Sequence, residues 1–466
     1  MSLSSALLTA KSSLAATSKQ TSVVSSNIAR ANDPDYSRRT ASLVSGPYGS
    51  LYVGISRSAD EALFNRFIQS NSTASSTSIL AGGLDRLSSL YSADNYSGSP
   101  SALIGDLRDA LQTYAASPSN SALGDSVVST AQSLANALNA GTKQIQSLRN
   151  DADREIADSV ASINDLLAKF EKVNQEIVGG TRANRDVSDY MDQRDAILKQ
   201  LSGEIGITTM MRGDNDMVIF AENGVTLFET TARKVSFEQS TVLAPGISGK
   251  AVLVDGVPLN HETFDQPYGT GRLSGLLQLR DQIAPQYQMQ LDEIARNLVT
   301  MFAEGDDGLF IWAGAPGGPE NAGTIKVSSS YVTSEGGSPT KLRDGVNGQF
   351  NPEGSAGFSE RLRALNEAFS EPMVFDPATG LSASSSLIDY SASSISWLEG
   401  KRQKANSEFS YNATVATQAD AALSNANGVD MDTEMALLLD LEHSYQASSR
   451  VLTTISAMLD DLLNAV

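Results

Sequence analysis

The sequence predicts a mainly α protein with an inserted β domain, and three patterns in its 466 residues carry that prediction. Heptad stripes occupy both ends, long Ala-, Leu- and Gln-rich stretches lie inward of them, and short apolar runs broken by turn dipeptides interrupt the middle. The expected architecture is a pair of terminal heptad helices forming an antiparallel coiled coil, a long helical bundle, and an outer β-rich domain.

The terminal stripes come first. Steps of seven from Leu3 give Leu3, Ala10, Thr17, Val24 and Ala31, and a second row gives Leu7, Leu14, Thr21 and Ile28. At the other end the rows are Met431, Leu438, Tyr445, Leu452, Leu459 and Val466, with Leu441, Ser448, Ile455 and Leu462. Alternating spacings of four and three make the narrow apolar stripe of a coiled coil. A helix from Leu3 to Ala31 would be roughly 43 Å long at 1.5 Å per residue. From Met1 to Asn32 there is no acid, whereas Asp430, Asp432, Glu434, Asp440, Glu442, Asp460 and Asp461 crowd the last helix. If one middle domain roots both helices they become antiparallel neighbours, and Lys11 is expected near Asp460 and Asp461. The alternative is that each stripe packs on its own domain's surface. Two stripes this narrow bury little area in one chain and need neighbours. That makes Leu3, Leu7, Leu14, Val24, Ile28, Leu438, Leu441, Tyr445, Leu452, Ile455, Leu459 and Leu462 the candidate assembly interface.

Further helical patterns cover Leu103 to Tyr114, Val127 to Ala168, Val187 to Leu201, Ala284 to Phe302 and Ser394 to Ala426, drawing the bundle from both halves of the chain. Between Ile205 and Gly271 the runs around Met217 to Phe220, Val225 to Phe228, Lys234 to Phe237 and Ala251 to Val254 read as strands, separated by Asn223-Gly224, Pro245-Gly246 and Asp255-Gly256. The stretch from Glu304 to Leu381 is rich in Gly and Pro. The expected domains are therefore 1–40 with 428–466 as the terminal coiled coil; 41–204 with 272–303 and 382–427 as the helical bundle; 205–271 as the β-rich domain; and 304–381 as a loop-rich insertion with short strands.

Composition narrows the function. With 34 basic and 54 acidic side chains the net charge is −20, which disfavours nucleic acid and anionic membranes as partners because both demand clustered Lys and Arg. Cysteine is absent, so disulfides and thiolate chemistry are excluded. No segment approaches the ~18 apolar residues of a membrane span. The amino terminus lacks the basic region of a cleaved signal peptide, so none is expected. Gly269-x-Gly271-x-x-x-Gly275 has the wrong spacing for a dinucleotide loop, Asp214-Asn-Asp216 and Asp306-Asp307-Gly308 do not continue into calcium loops, and His261 and His443 read as surface histidines. No catalytic, cofactor-binding or metal-binding residue is predicted.

At Asn27-Ile28-Ala29-Arg30-Ala31-Asn32-Asp33-Pro34-Asp35-Tyr36-Ser37-Arg38 the sequence resembles the amino-terminal signature of the bacterial flagellar rod, hook and hook-associated proteins, with Asp35 where that family usually has Gly. The matching motif residues are Asn27, Ile28, Ala29, Asn32, Pro34, Tyr36 and Arg38. Within the family, four stretches are similar to the hook-filament junction branch, the first hook-associated proteins. They are the Tyr36-Ser37-Arg38 ending, Asp192-Gln193-Arg194-Asp195, Gly271-x-Leu273-x-Gly275-Leu276-Leu277, and the terminal helix from Gly428 to Leu459 with its Tyr445-Gln446-Ala447.

The resemblance implies a structural, non-enzymatic protein of flagellum assembly and motility, secreted by type III export to an extracellular position. It implies a homo-oligomeric ring between hook and filament. The implied partners are the hook protein, the second hook-filament junction protein and an export chaperone, with no nucleic acid and no membrane insertion. A hook or distal-rod subunit is the rival within the family, and an enzyme or adhesin on a coiled-coil stalk is the rival outside it.

Overall fold

A computed structural model describes residues 3–45, 51–92, 95–259, 269–305, 307–313 and 321–464. The chain divides into two compact units, the first comprising Met1–Ala74, Ser162–Val235 and Tyr411–Val466 and the second Ser75–Ala161 and Ser236–Ser410. In chain order the helices are α1 (Leu3–Ala29), α2 (Glu61–Ser92), α3 (Pro100–Ala116), α4 (Ser121–Arg182), α5 (Ser188–Glu204), α6 (Arg272–Gln278), α7 (Ala284–Met301), α8 (Lys341–Asp344), α9 (Glu360–Ala368), α10 (Leu387–Asn427) and α11 (Met431–Asn464). The mainly helical class with small antiparallel sheets is as expected.

In the first unit, strands β1 (Arg39–Ser45) and β2 (Leu51–Arg57) form an antiparallel hairpin that pairs Arg39 with Arg57, and α1 packs against both strands. Strands β3 (Ile207–Met211), β4 (Met217–Ala221) and β5 (Thr226–Phe228) make a sheet of that order, with β4 in the centre. A central strand is buried on both faces, which is why Met217, Val218, Ile219 and Ala221 form an apolar run without alternation. Phe228 meets Phe170 of α4 edge to face, the ring centroids 4.9 Å apart.

The second unit holds a buried cluster to which α3 contributes Ile104, Leu107, Leu111 and Tyr114 at helical spacing. Residues between Glu304 and Leu381 belong to this core. Phe310, Tyr331, Leu342, Leu362, Phe369 and Phe375 are buried in it, and Phe302 packs its ring against Phe310 and Phe369. Their spacing is irregular because loops and short helices deliver them, so periodicity alone could not reveal them. Residues 236–259 also fall in the second unit. Their backbone is fixed on α4, where Asp153 accepts from Ser240 N and Asn150 from Leu243 N at 2.7 and 3.1 Å. Asp255-Gly256, expected as a turn, closes a two-residue hairpin that pairs Val254 with Val257.

The Gly-x-Leu-x-Gly run has a steric explanation. Gly271 sits at φ 94 before α6, and a Cβ on Gly275 would lie 2.7 Å from the Ser76 carbonyl oxygen, so α6 can approach α2 only without a side chain there. A π-helical turn, Leu279–Ile283, links α6 to α7 ahead of Pro285, whose ring nitrogen has no hydrogen to donate. Arg280 on this turn is fully buried and donates to Asp153 at 2.6 Å, to Asp281 and to the Lys250 carbonyl.

Helix α2 and the β1–β2 hairpin were not predicted from sequence. Helix α2 contains Ser70-Asn-Ser-Thr-Ala-Ser-Ser-Thr-Ser78 and Gly82-Gly83, and its polar, weakly helix-forming stretch has no clear apolar period. Tertiary packing supplies the helix. His261 and Asp306 lie outside the described residues, while His443 is exposed on α11.

Two measurements test this account. Arg280→Ala leaves Asp153 buried and uncompensated and should cost about 3–5 kcal/mol in urea denaturation. Asp292, which accepts from Ala322 N at 2.8 Å and Gln288 at 2.7 Å, has its pKa pushed up to about 6 by burial, which outweighs both donors. The stability from its protonation is fully present below about pH 4 and is lost as pH rises through about 6. The melting temperature of Asp292→Asn should therefore gain on that of the parent between pH 4 and pH 7, and a constant difference would refute the assignment.

Candidate functional site

The two terminal helices pair within the chain. Asn27 Nδ2 donates to Glu434 Oε2 at 3.0 Å, and the Ser13 and Ser448 hydroxyls are 3.4 Å apart. Moving 14 residues toward the start of α1 moves 14 toward the end of α11, so the helices are antiparallel and keep one register. That register corrects one expectation: it sets Lys11 opposite Arg450, and among the described residues Lys11 forms no ion pair with Asp460 or Asp461.

Of the candidate interface residues, Val24 and Leu441 are buried, and Leu7, Leu14, Ile28, Leu438, Leu452, Ile455 and Leu459 are partly covered. Tyr445 is 44% exposed, off the closed part of the stripe. The side chains of Leu3 and Leu462 lie outside the described residues. Ala16 and Val23 are buried although they belong to neither heptad row. A period-seven search passes over them because they answer to a second surface of α1, the one on the β1–β2 side.

The motif after α1 forms a polar node. Fully buried Asn27 accepts at Oδ1 from Tyr36 OH at 2.7 Å and from Arg39 N at 3.1 Å, and donates at Nδ2 to Arg39 O at 2.8 Å as well as to Glu434. Only a carboxamide offers two donors and two acceptor sites in one planar head. Glu434, also fully buried, accepts from Arg38 Nε at 2.7 Å, and Arg38 N donates to Asn427 O at 2.7 Å. Ala29, Asn32 and Pro34 are exposed and shape the turn, in which Asp33 Oδ1 accepts from Asp35 N at 3.1 Å. Asp35 is not among the residues with positive φ, so an aspartate in place of Gly strains nothing.

Around this node the Asp-Gln-Arg-Asp helix presents its acids. Asp189, Asp192 and Asp195 lie at three-residue steps on one face of α5. Arg39 donates to Asp189 at 2.6 Å and to Asp192 at 3.2 Å; Arg57 donates to Asp192 at 2.7 Å and to Asp195, and reaches Ser37 Oγ at 3.0 Å. Arg30 adds a bond to Asp189 at 2.8 Å. The Arg39 hydrogen bond holds the Asp189 carboxyl below its ordinary pKa, whereas burial raises that of Asp192 despite Arg57. Burial also raises the Tyr36 phenol, over whose ring the Arg39 guanidinium sits at 4.9 Å. Arg194 instead donates to Asn215 O at 2.7 Å, tying α5 to the turn before β4.

The acids and guanidinium groups neutralise one another, although Arg39 Nε and Arg194 Nε are buried without a hydrogen-bond partner among the described residues, and the arrangement fixes geometry. Among the described residues no group of three or more His, Cys, Asp or Glu is placed to hold a metal ion. Glu434→Ala would leave Asn27 and Arg38 without their acceptor. Each lost charged bond costs about 1.5–3 kcal/mol, so amide exchange over α1 and α11 should accelerate by at least about tenfold while α3 and α7 keep their protection. Unchanged exchange in the terminal helices would remove the node from its structural role.

Residues 84–317 match the family described as flagellar hook-associated protein FlgK helical domain, and residues 411–465 match the flagellar basal body rod FlgEFG protein C-terminal family. The chain is 22% identical over 510 residues to flagellar hook-associated protein 1 of Bacillus subtilis (strain 168), covering 99% of this chain and 98% of that protein. It is 26% identical over 305 residues to the protein of the same name from Salmonella typhimurium, covering 63% of this chain and 55% of that one. Against the solved structure of the flagellar hook junction protein FlgK from Burkholderia pseudomallei the identity is 24% and the TM-score 0.42, over 53% of this chain and 47% of that one. With half of its length matching the FlgK helical domain between terminal helices that close on Asn27 and Glu434, this chain belongs to the flagellar hook-associated protein FlgK family.

Proposed function

We propose that this chain is a structural junction protein of the bacterial flagellum, joining hook to filament as a homo-oligomeric ring built through its terminal helices, 1–40 with 428–466. The observation that carries this reading is the α1–α11 pair: its seam is closed by small and partly covered residues, and much apolar surface stays outside it. Met435, Leu439 and Tyr445 are about half exposed on α11. Apolar surface of that extent marks a surface intended for other subunits. Hook protein on one side, the second junction protein on the other, and a chaperone before export are the proposed partners, and no catalytic step is assigned. The helical domain match at residues 84–317 favours the junction protein over a hook or rod subunit, which would share the carboxyl-terminal match alone.

Deleting the gene should leave hooks intact and release unassembled flagellin into the medium, and the parent chain should restore attached filaments. Loss of hooks would point to a hook or rod subunit instead. Replacing Ile455 or Leu459 by Asp should abolish filament attachment while the second unit keeps its cooperative melting, because an unpaired carboxylate is driven into the covered stripe. Failure of the whole chain to fold would place these residues in a different core.

A further inference from the structure

Asparagine followed by glycine occurs at Asn223-Gly224, Asn347-Gly348 and Asn427-Gly428, and nowhere else in the sequence. At such a step the main-chain nitrogen can attack the preceding carboxamide, and glycine, having no Cβ, leaves that approach open. The sequence gives the three steps equal standing, and the fold separates them. At the end of α10, Gly428 N donates to Ser424 O at 2.7 Å, Asn427 O accepts from Arg38 N at 2.7 Å, and Asn427 Oδ1 accepts from Asp60 N at 3.1 Å. In the β4–β5 turn, Gly224 N donates to Ala221 O at 2.8 Å and Asn223 Oδ1 accepts from Val225 N at 3.2 Å. Both of these asparagines are half-buried. The third step is looser in every respect. Asn347 is exposed, its carboxamide makes no hydrogen bond among the described residues, and Gly348 N reaches Gly345 O only at 3.2 Å.

From this contrast we infer that Asn347 is a site of spontaneous modification, deamidating in the folded chain while Asn223 and Asn427 are held intact. Gly348 N gives up its proton and attacks Asn347 Cγ. The N–Cγ bond forms, the Cγ–Nδ2 bond breaks, and ammonia leaves with that proton. Water then opens the five-membered imide at either carbonyl, yielding aspartate or isoaspartate. The step consumes water alone and needs no oxidant or cofactor. Either product sets a new carboxylate at position 347, and isoaspartate also inserts its Cβ into the main chain. The residues on each side of the step share one acceptor, because Val346 N and Gln349 Nε2 donate to Glu304 Oε2 at 2.9 and 2.8 Å. Glu304 keeps only 3% of its side chain exposed and pairs with Arg361, whose guanidinium sits 4.0 Å over the Phe350 ring. Lengthening the chain between Val346 and Gln349 draws these donors off Glu304, so the modification reaches from an exposed turn to a buried carboxylate.

The full chain carries its own controls. It is incubated at mildly alkaline pH, where loss of the Gly348 proton is favoured, then digested for peptide mass mapping. The peptide holding residue 347 should gain the mass of an NH2-to-OH exchange at least about tenfold faster than those holding 223 and 427, whose hydrogen-bonded steps must first open. In urea the three rates should draw together, because only the fold distinguishes them. Equal rates in the folded chain, conversion led by 223 or 427, or the same spread persisting in urea would each overturn the inference. Asn347→Ser removes the carboxamide, so the acidic form that the parent accumulates on isoelectric focusing should vanish, and its persistence would count against Asn347. In the aged parent chain amide exchange at Val346 should quicken while α3 keeps its protection. Unchanged exchange at Val346 would overturn the link to Glu304.

Discussion

The hydrogen-bonded pair of Asn27 and Glu434 is the constraint on which the terminal region depends. It joins residues 407 apart in the sequence, and both side chains are withdrawn from water. A buried carboxylate is costly unless it is paired and its remaining oxygen satisfied. Arg38 meets the first need and Asn27 the second. Because Asn27 also holds the backbone of Arg39 and the Tyr36 hydroxyl, one node fixes where α1 ends, where β1 begins and where α11 starts.

The acidic face of α5 extends that constraint outward. Arg39 and Arg57 are opposite each other in the β1–β2 register, so the hairpin presents two guanidinium groups side by side. Asp189, Asp192 and Asp195 receive them. The bidentate reach of arginine suits this shared arrangement, in which Asp192 accepts from both, and lysine could not reproduce it. The hairpin is thus located by charge as well as by its packing on α1.

Energetics explain why such fixing is needed. The α1 stripe offers Ala10, Thr17 and Val24 at its most covered positions, far short of the ~1.5–3 kcal/mol that full burial of a large aliphatic side chain contributes. Ordering the 27 residues of α1 costs on the order of 1 kcal/mol each. Polar anchoring is concentrated at one end of the pair, so its distal part is held by a thin apolar stripe and the Ser13–Ser448 contact.

Periodicity is a local property, and what depends on it could be read directly: the heptads of α1 and α11, the helices α3, α5 and α7, the β4–β5 turn and the turn at Asp255-Gly256. The motif residues Asn27, Tyr36 and Arg38 were legible as a pattern, but their bonds were not, because Glu434 and the α5 acids come from distant segments and nothing in the spacing of either stretch names the other. Helix α2 was hidden by its serines, and the 304–381 core by its lack of period. Tertiary structure alone decided the helix register that sets Lys11 against Arg450, the burial of Ala16 and Val23, and the close approach at Gly275. Each of these depends on which surfaces meet, and the free energy of meeting is shared between segments that the sequence keeps far apart.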